Sequence, residues 1–273
     1  MKMKQFLILA LTGLFLASGA WAESDKKKDK KEKEKAERGG EMSEMAAIAR
    51  GGRLYDNWFK VSKDARLPFG APSGSGEDPS LAKLIDSRRH PAYPKEGSQA
   101  GKGGNDWRCK ECHGWDYKGV NGAYATGEHR TGIKGIRGAA GKPEGEVLKI
   151  LQDDTHALKN TNLSQRDYRD LALFVAKGQV DMDAYIDPKS GAARGDNAAG
   201  RDVYETVCAG CHGMKGNAIE DMEPLGKVAN KNPWEAMHKI LNGQPNEDMP
   251  AMRAFGAKVA GDILAYMQTL PGK

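Results

Sequence analysis

Long apolar runs are scarce in this chain of 273 residues. The one present, Phe6–Ala17, lies at the extreme N-terminus, which excludes a bundle of membrane-spanning helices. An excess of one charge is also lacking: 42 basic residues stand against 37 acidic ones, for a net +5. Part of that excess is transient. Lys2 and Lys4 precede the apolar run and Ala20-Trp21-Ala22 follows it as a small-residue cleavage site, so residues 1–22 are expected to be a signal peptide removed on export. An uncleaved anchor is the alternative, although the run is short for a span. Glu23–Arg38 then holds eight basic and six acidic side chains, leaving the remaining body near neutral. That balance excludes a basic nucleic-acid binder.

Large apolar side chains are sparse too, at 39 % hydrophobic and 7 % aromatic residues beside 34 glycines. Lys26–Arg38 has no apolar residue larger than alanine and cannot bury a face. Residues 23–41 are therefore read as a solvated spacer, with docking to acidic surfaces or anionic lipid as the alternative. Met42, Met45, Ile48, Leu54 and Trp58 recur at near-helical spacing and predict the first packed helix over 43–59. Pro68, Pro72, Pro79, Pro91 and Pro94 make 68–104 mostly loop, with a short helix expected over 81–88. A second break falls at 185–196. The expected organisation is one domain over 42–187, a linker over 188–195 and a second domain over 196–273.

The four cysteines are few, but all fall in two copies of one pattern, Cys109-Lys-Glu-Cys112-His113 and Cys208-Ala-Gly-Cys211-His212. The spacing has a mechanism: two thiols add to the vinyl groups of a haem as thioethers, and the histidine that follows lies under the iron as an axial ligand. With only six histidines in the chain, coincidence is a poor account of two such pairs. A zinc site built from the four thiolates would leave both histidines without a role, as would a redox dithiol. The expected cofactors are two covalently bound haem c groups, held by Cys109 and Cys112 and by Cys208 and Cys211, with His113 and His212 on the irons.

Gly200-x-x-x-Tyr204 leads directly into the second motif, and Val259, Ile263, Tyr266, Met267 and Leu270 mark an amphipathic helix over 258–270. Two helices crossing closely at Gly200 imply a compact helical fold. In this order of features, residues 196–273 resemble a class I cytochrome c domain. The resemblance implies a mainly α fold of two such domains around haem, with long Gly/Pro-rich loops. It also implies a methionine as far ligand in the loop before the last helix, which selects Met249 of Asn246-Glu-Asp-Met249-Pro250, with Met252 as runner-up. Pro224 would supply the carbonyl that fixes the His212 ring.

The first copy resembles the same family in altered form. Ser164-Gln-Arg-Asp167 reads as a capping box and Gly178 as a helix stop. Asp170–Val175 aligns with Asp262–Met267 at an offset of 92, which carries Met249 to position 157. No methionine stands there, and the neighbouring His156 is the expected far ligand of the first iron, with His129 and Met182 as alternatives. His90 and His238 read as structural. Gly51-Gly-Arg-Leu-Tyr55 resembles the leading helix but lies far ahead of Cys109, so residues 60–106 would be an insertion.

Two six-coordinate irons leave no open position for substrate. The expectation is outer-sphere electron transfer from a lower-potential bis-histidine haem to a higher-potential His/Met haem. The chain then reads as a periplasmic dihaem cytochrome of respiratory or lithotrophic electron transport, working between donor and acceptor redox proteins or held peripherally at a membrane or respiratory complex. A dihaem enzyme, peroxidase-like or thiosulfate dehydrogenase-like, is the alternative. N-terminal sequencing of exported protein should begin at Glu23; a start at Met1 contradicts cleavage.

Overall fold

The computed structural model describes residues 30, 40, 43–67, 89–94, 97, 99 and 104–273. The signal segment and the short helix expected over 81–88 lie outside these residues. The chain divides into two units, Met1–Glu44 and Met45–Lys273. The described residues of the first, 30, 40, 43 and 44, are all helical.

The second unit is mainly helical, and among its described residues only isolated β-bridges occur, Gly119 with Lys134 and Ile186 with Ala193. Its first helix, α1, covers 45–61, two residues beyond the expected end. Then follow α2 (Cys109–His113), α3 (Glu144–Leu151), α4 (Gln165–Leu173), α5 (Asn197–Val203), α6 (Ala209–His212), α7 (Leu225–Lys231), α8 (Pro233–Asn242) and α9 (Gly256–Met267). The starts follow from local chemistry. Ser164 and Asp167 form the expected reciprocal capping box of α4. The Asp196 carboxylate accepts from the amides of Ala198 and Ala199 at the start of α5, and Asn232 caps α8 with Pro233 in its first turn.

One arrangement is built twice. Helix α1 crosses α4 so closely that a Cβ on Gly51 would come within 2.0 Å of the Asp170 carbonyl oxygen. Helix α5 crosses α9 in the same way, with 1.8 Å from a Cβ on Gly200 to the Asp262 carbonyl. Past each crossing a tyrosine hydroxyl donates to the carbonyl of the glycine after a Cys-x-x-Cys-His turn: Tyr55 to Gly114 at 2.6 Å and Tyr204 to Gly213 at 2.9 Å. Each tyrosine also packs on an aromatic ring of the later helix, Tyr55 on Phe174 at 5.4 Å and Tyr204 on Tyr266 at 5.3 Å. Asp170 with Asp262 and Phe174 with Tyr266 are pairs at the offset of 92 read from the sequence.

Between the repeats lies a buried knot. His238 of α8 is fully buried, with Nε2 against the Gly52 carbonyl at 2.9 Å and Nδ1 against the Tyr117 hydroxyl at 2.9 Å. Trp115, Tyr55 and Phe174 pack around its ring. This is the structural role read for His238. The segment 185–196 is an ordered turn: Ile186 bridges Ala193, and the Ala193 amide donates to the Gln268 side chain at 2.9 Å.

Any side chain at position 51 must push the two helices apart. Gly51→Ala should therefore lower unfolding free energy by about 2 kcal/mol, whereas Gly138→Ala, with nothing within 4 Å of its Cβ, should leave it nearly unchanged. Denaturant titration of both variants checks this, and equal stability would contradict the crossing.

Candidate haem sites

Each Cys-x-x-Cys-His motif forms a short helical segment. This places the two thiols three residues apart on one face, with the histidine directly after them. Glycine ends both: Gly114 (φ 79°) and Gly213 (φ 73°) take a backbone conformation that would strain any residue with a Cβ. The amide of Gly119 returns to the His113 carbonyl at 2.8 Å, and that of Ala218 to the His212 carbonyl at 3.1 Å. All four thiols are free. Burial pushes Cys109 and Cys112 up to about 12 and raises Cys208, so these sulfurs stay protonated at neutral pH. Among the described residues no group of three or more His, Cys, Asp or Glu is placed to hold a metal ion directly, so the two pairs do not meet as a four-thiolate site.

At the first motif, His113 and His156 face one another, ring centres 6.3 Å apart and planes inclined by 33°. Two imidazoles on opposite sides of one metal ion, each with a bond of about 2.0–2.1 Å and about 1.1 Å from nitrogen to ring centre, stand a little over 6 Å apart. The free nitrogens also match. His113 Nδ1 donates to the Lys134 carbonyl at 2.7 Å, and His156 Nδ1 pairs with the Asp153 carboxylate at 3.0 Å. Among the described residues neither Nε2 has a hydrogen-bond partner, as a ligating nitrogen requires. Burial lowers the pKa of His113 to about 4, which keeps the imidazole in its neutral, ligating form.

The alternatives are otherwise engaged. His129 stacks on Tyr124 at 5.0 Å with Nδ1 on the buried Glu111 carboxylate at 2.9 Å, and Met182 is fully buried in the hydrophobic core. Glu111 also accepts from Lys110 Nζ at 2.9 Å. Both residues between the first pair of cysteines are thus buried, whereas Gly210 in the second motif is exposed.

At the second motif, Met249 is partly exposed in the loop after α8, while Met252 is only 5 % exposed and belongs to the core. No hydrogen bond or ring contact joins Met249 to His212. Among the described residues, His212 Nδ1 is buried without a partner. The expected bond to Pro224 is not made; the Pro224 carbonyl, at the start of α7, accepts from the Val228 amide at 3.1 Å. Val207, Met214 and Ile219, clustered along the chain around this motif, are large apolar side chains left exposed. Facing imidazoles, free thiols and bare apolar surface all fit a covalently held porphyrin. Lys134 carried no advance signal, since a backbone carbonyl leaves no mark in sequence.

Asp56 braces the first motif from α1. It is 1 % exposed and pairs with Arg108, the residue before Cys109, and with Lys239 Nζ at 2.9 Å. Burial pushes its pKa up, but Lys239 and Arg108 push it down further, and the net position is well below the usual carboxylate range. Because the folded pKa lies below the unfolded one, the pairing stabilises above about pH 4 and is lost as pH falls through the folded value. Asp56→Asn should cost about 3 kcal/mol at pH 7 and flatten the acid limb of a stability profile. An unaltered limb would contradict this assignment.

Residues 195–267 match the family of cytochrome C oxidase, cbb3-type, subunit III. No curated protein and no solved structure matches the chain. The match covers α5 through α9, including the second attachment motif and the loop of Met249. The match covers about a quarter of the chain and supports a c-type cytochrome domain at residues 195–267, of the kind found in electron-transfer haem proteins.

Proposed function

We propose that the chain is a dihaem cytochrome c, exported to the periplasm, that carries electrons between respiratory or lithotrophic redox proteins by outer-sphere transfer. The observation that carries the reading is the facing pair His113 and His156, set on a second copy of the helix crossing and tyrosine tie that surround Cys208–His212. Bound haem supplies a one-electron iron couple. The rest is the work of this chain's residues. Cys109, Cys112, Cys208 and Cys211 would fix two haems against loss, and His113 and His156 would hold the iron of the first. His212 and Met249 would hold that of the second.

The ligand sets order the two sites. A thioether is a weaker, softer donor than imidazole and favours reduced iron, so the Met249 site takes the higher potential and the His156 site the lower. Electrons entering at the first site would then pass downhill to the second. With two side chains on each iron, neither site would offer substrate a bond, which favours a carrier over a peroxidase-like enzyme. The thiosulfate dehydrogenase-like reading needs a cysteine on iron, and every cysteine here is committed to attachment.

A potentiometric titration of the holoprotein should resolve two one-electron steps. Met249→His should lower the upper step and leave the other in place. An unmoved upper step removes Met249 from the ligand set, and rapid reaction of the wild-type protein with peroxide would favour the enzyme.

A further inference from the structure

We propose that His90 is a positioning residue that holds His156 at the first iron site, an inference resting on the reading of His156 as an axial ligand. The partners of His90 fix its tautomer. The Ala92 amide donates to Nδ1 at 3.2 Å, so the ring proton sits on Nε2, which donates to the backbone carbonyl of His156 at 3.0 Å. The ring is itself clamped, packing edge-on against Trp107 at 4.5 Å while the His90 amide donates to the Asp106 carboxylate at 2.8 Å. Asp106 and Trp107 lie just ahead of Cys109. His90 therefore ties the loop bearing one imidazole to the segment that carries the opposing one.

The other bonds to His156 do not do this. Asp153 accepts both its amide and its ring Nδ1 at 3.0 Å, but Asp153 belongs to the same loop and orients the ring without locating the loop. Among the described residues, His90 makes the one hydrogen bond that His156 receives from outside its loop. The gripped peptide also leads into a strained position, since Ala157 is left-handed with φ 51°. A carbonyl turned toward His90 and a left-handed residue next to it are two ends of one local geometry.

The experiment compares holoprotein variants by the ferric high-spin fraction and by carbon monoxide binding to the ferrous protein. His90→Phe keeps a ring against Trp107 and deletes the donor; His90→Gln restores a donor at similar reach; His156→Ala calibrates full loss of the ligand. Loss of one buried hydrogen bond should raise the population with His156 detached, and with it the carbon monoxide binding rate, about tenfold in H90F. H90Q should stay near wild type, and the potential of the second haem should not move in either. If H156A is fast and H90F matches wild type, the positioning role is overturned while the ligand reading stands. If H156A itself matches wild type, the ligand reading fails. If H90Q is as fast as H90F, restoring a donor at position 90 does not hold His156, and the hydrogen-bond role is overturned. Should H90F not mature, His90→Met, which fills the space without a donor, takes its place under the same criteria.

Discussion

For each motif to hold a haem, as proposed, one helical turn must present two thiols and an imidazole to the same planar group, and each half of the compact unit is organised to keep such a turn still. The hold comes from behind. A helix passes close enough to the later helix that only glycine fits at the crossing, and this fixes where its tyrosine stands. The tyrosine hydroxyl then takes the carbonyl of the glycine that ends the attachment turn. Gly51, Tyr55 and Gly114 do in one half what Gly200, Tyr204 and Gly213 do in the other. A shift of the crossing would pass through the tyrosine to the turn and so to the histidine of the motif.

The two halves differ in how much protein covers the turn. In the first, Lys110 and Glu111 are buried, His129 stacks over the site, and Asp56 gathers Arg108 and Lys239 beneath it. In the second, Cys211 and Met214 are exposed. A more enclosed site disfavours added charge on the iron, and a more exposed one tolerates it. In the proposed dihaem protein, enclosure would favour reduced iron at the first site and so oppose the ordering set by the ligands. The knot of His238, Tyr117, Tyr55, Trp115 and Phe174 joins α8 to the first attachment segment and makes the two halves mechanically continuous.

Much of this was legible in the sequence because it rests on side-chain type and spacing. The two Cys-x-x-Cys-His motifs, the capping box at Ser164 and the offset of 92 are such signals, and the offset led to His156, whose ring stands opposite His113. The leading helix of the first half was recognisable from Gly51 and Tyr55 although the chain between it and Cys109 is long. What escaped was carried by backbone atoms or distant partners. The acceptor for His113 is the Lys134 carbonyl, and any residue could offer one there. Pro224 was expected to serve His212, but the structure shows its carbonyl bonded to the Val228 amide and no partner on His212 Nδ1 among the described residues. The contact of His90 with His156 spans 66 positions and has no periodicity to betray it.

The account stands on both motifs being loaded. Intact-mass measurement of protein matured in a host equipped for cytochrome c assembly tests this most directly. The predicted result is the mass of the mature chain plus two haems, with all four cysteines resistant to alkylation. A mass corresponding to one haem, with Cys109 and Cys112 open to alkylation, would contradict the account.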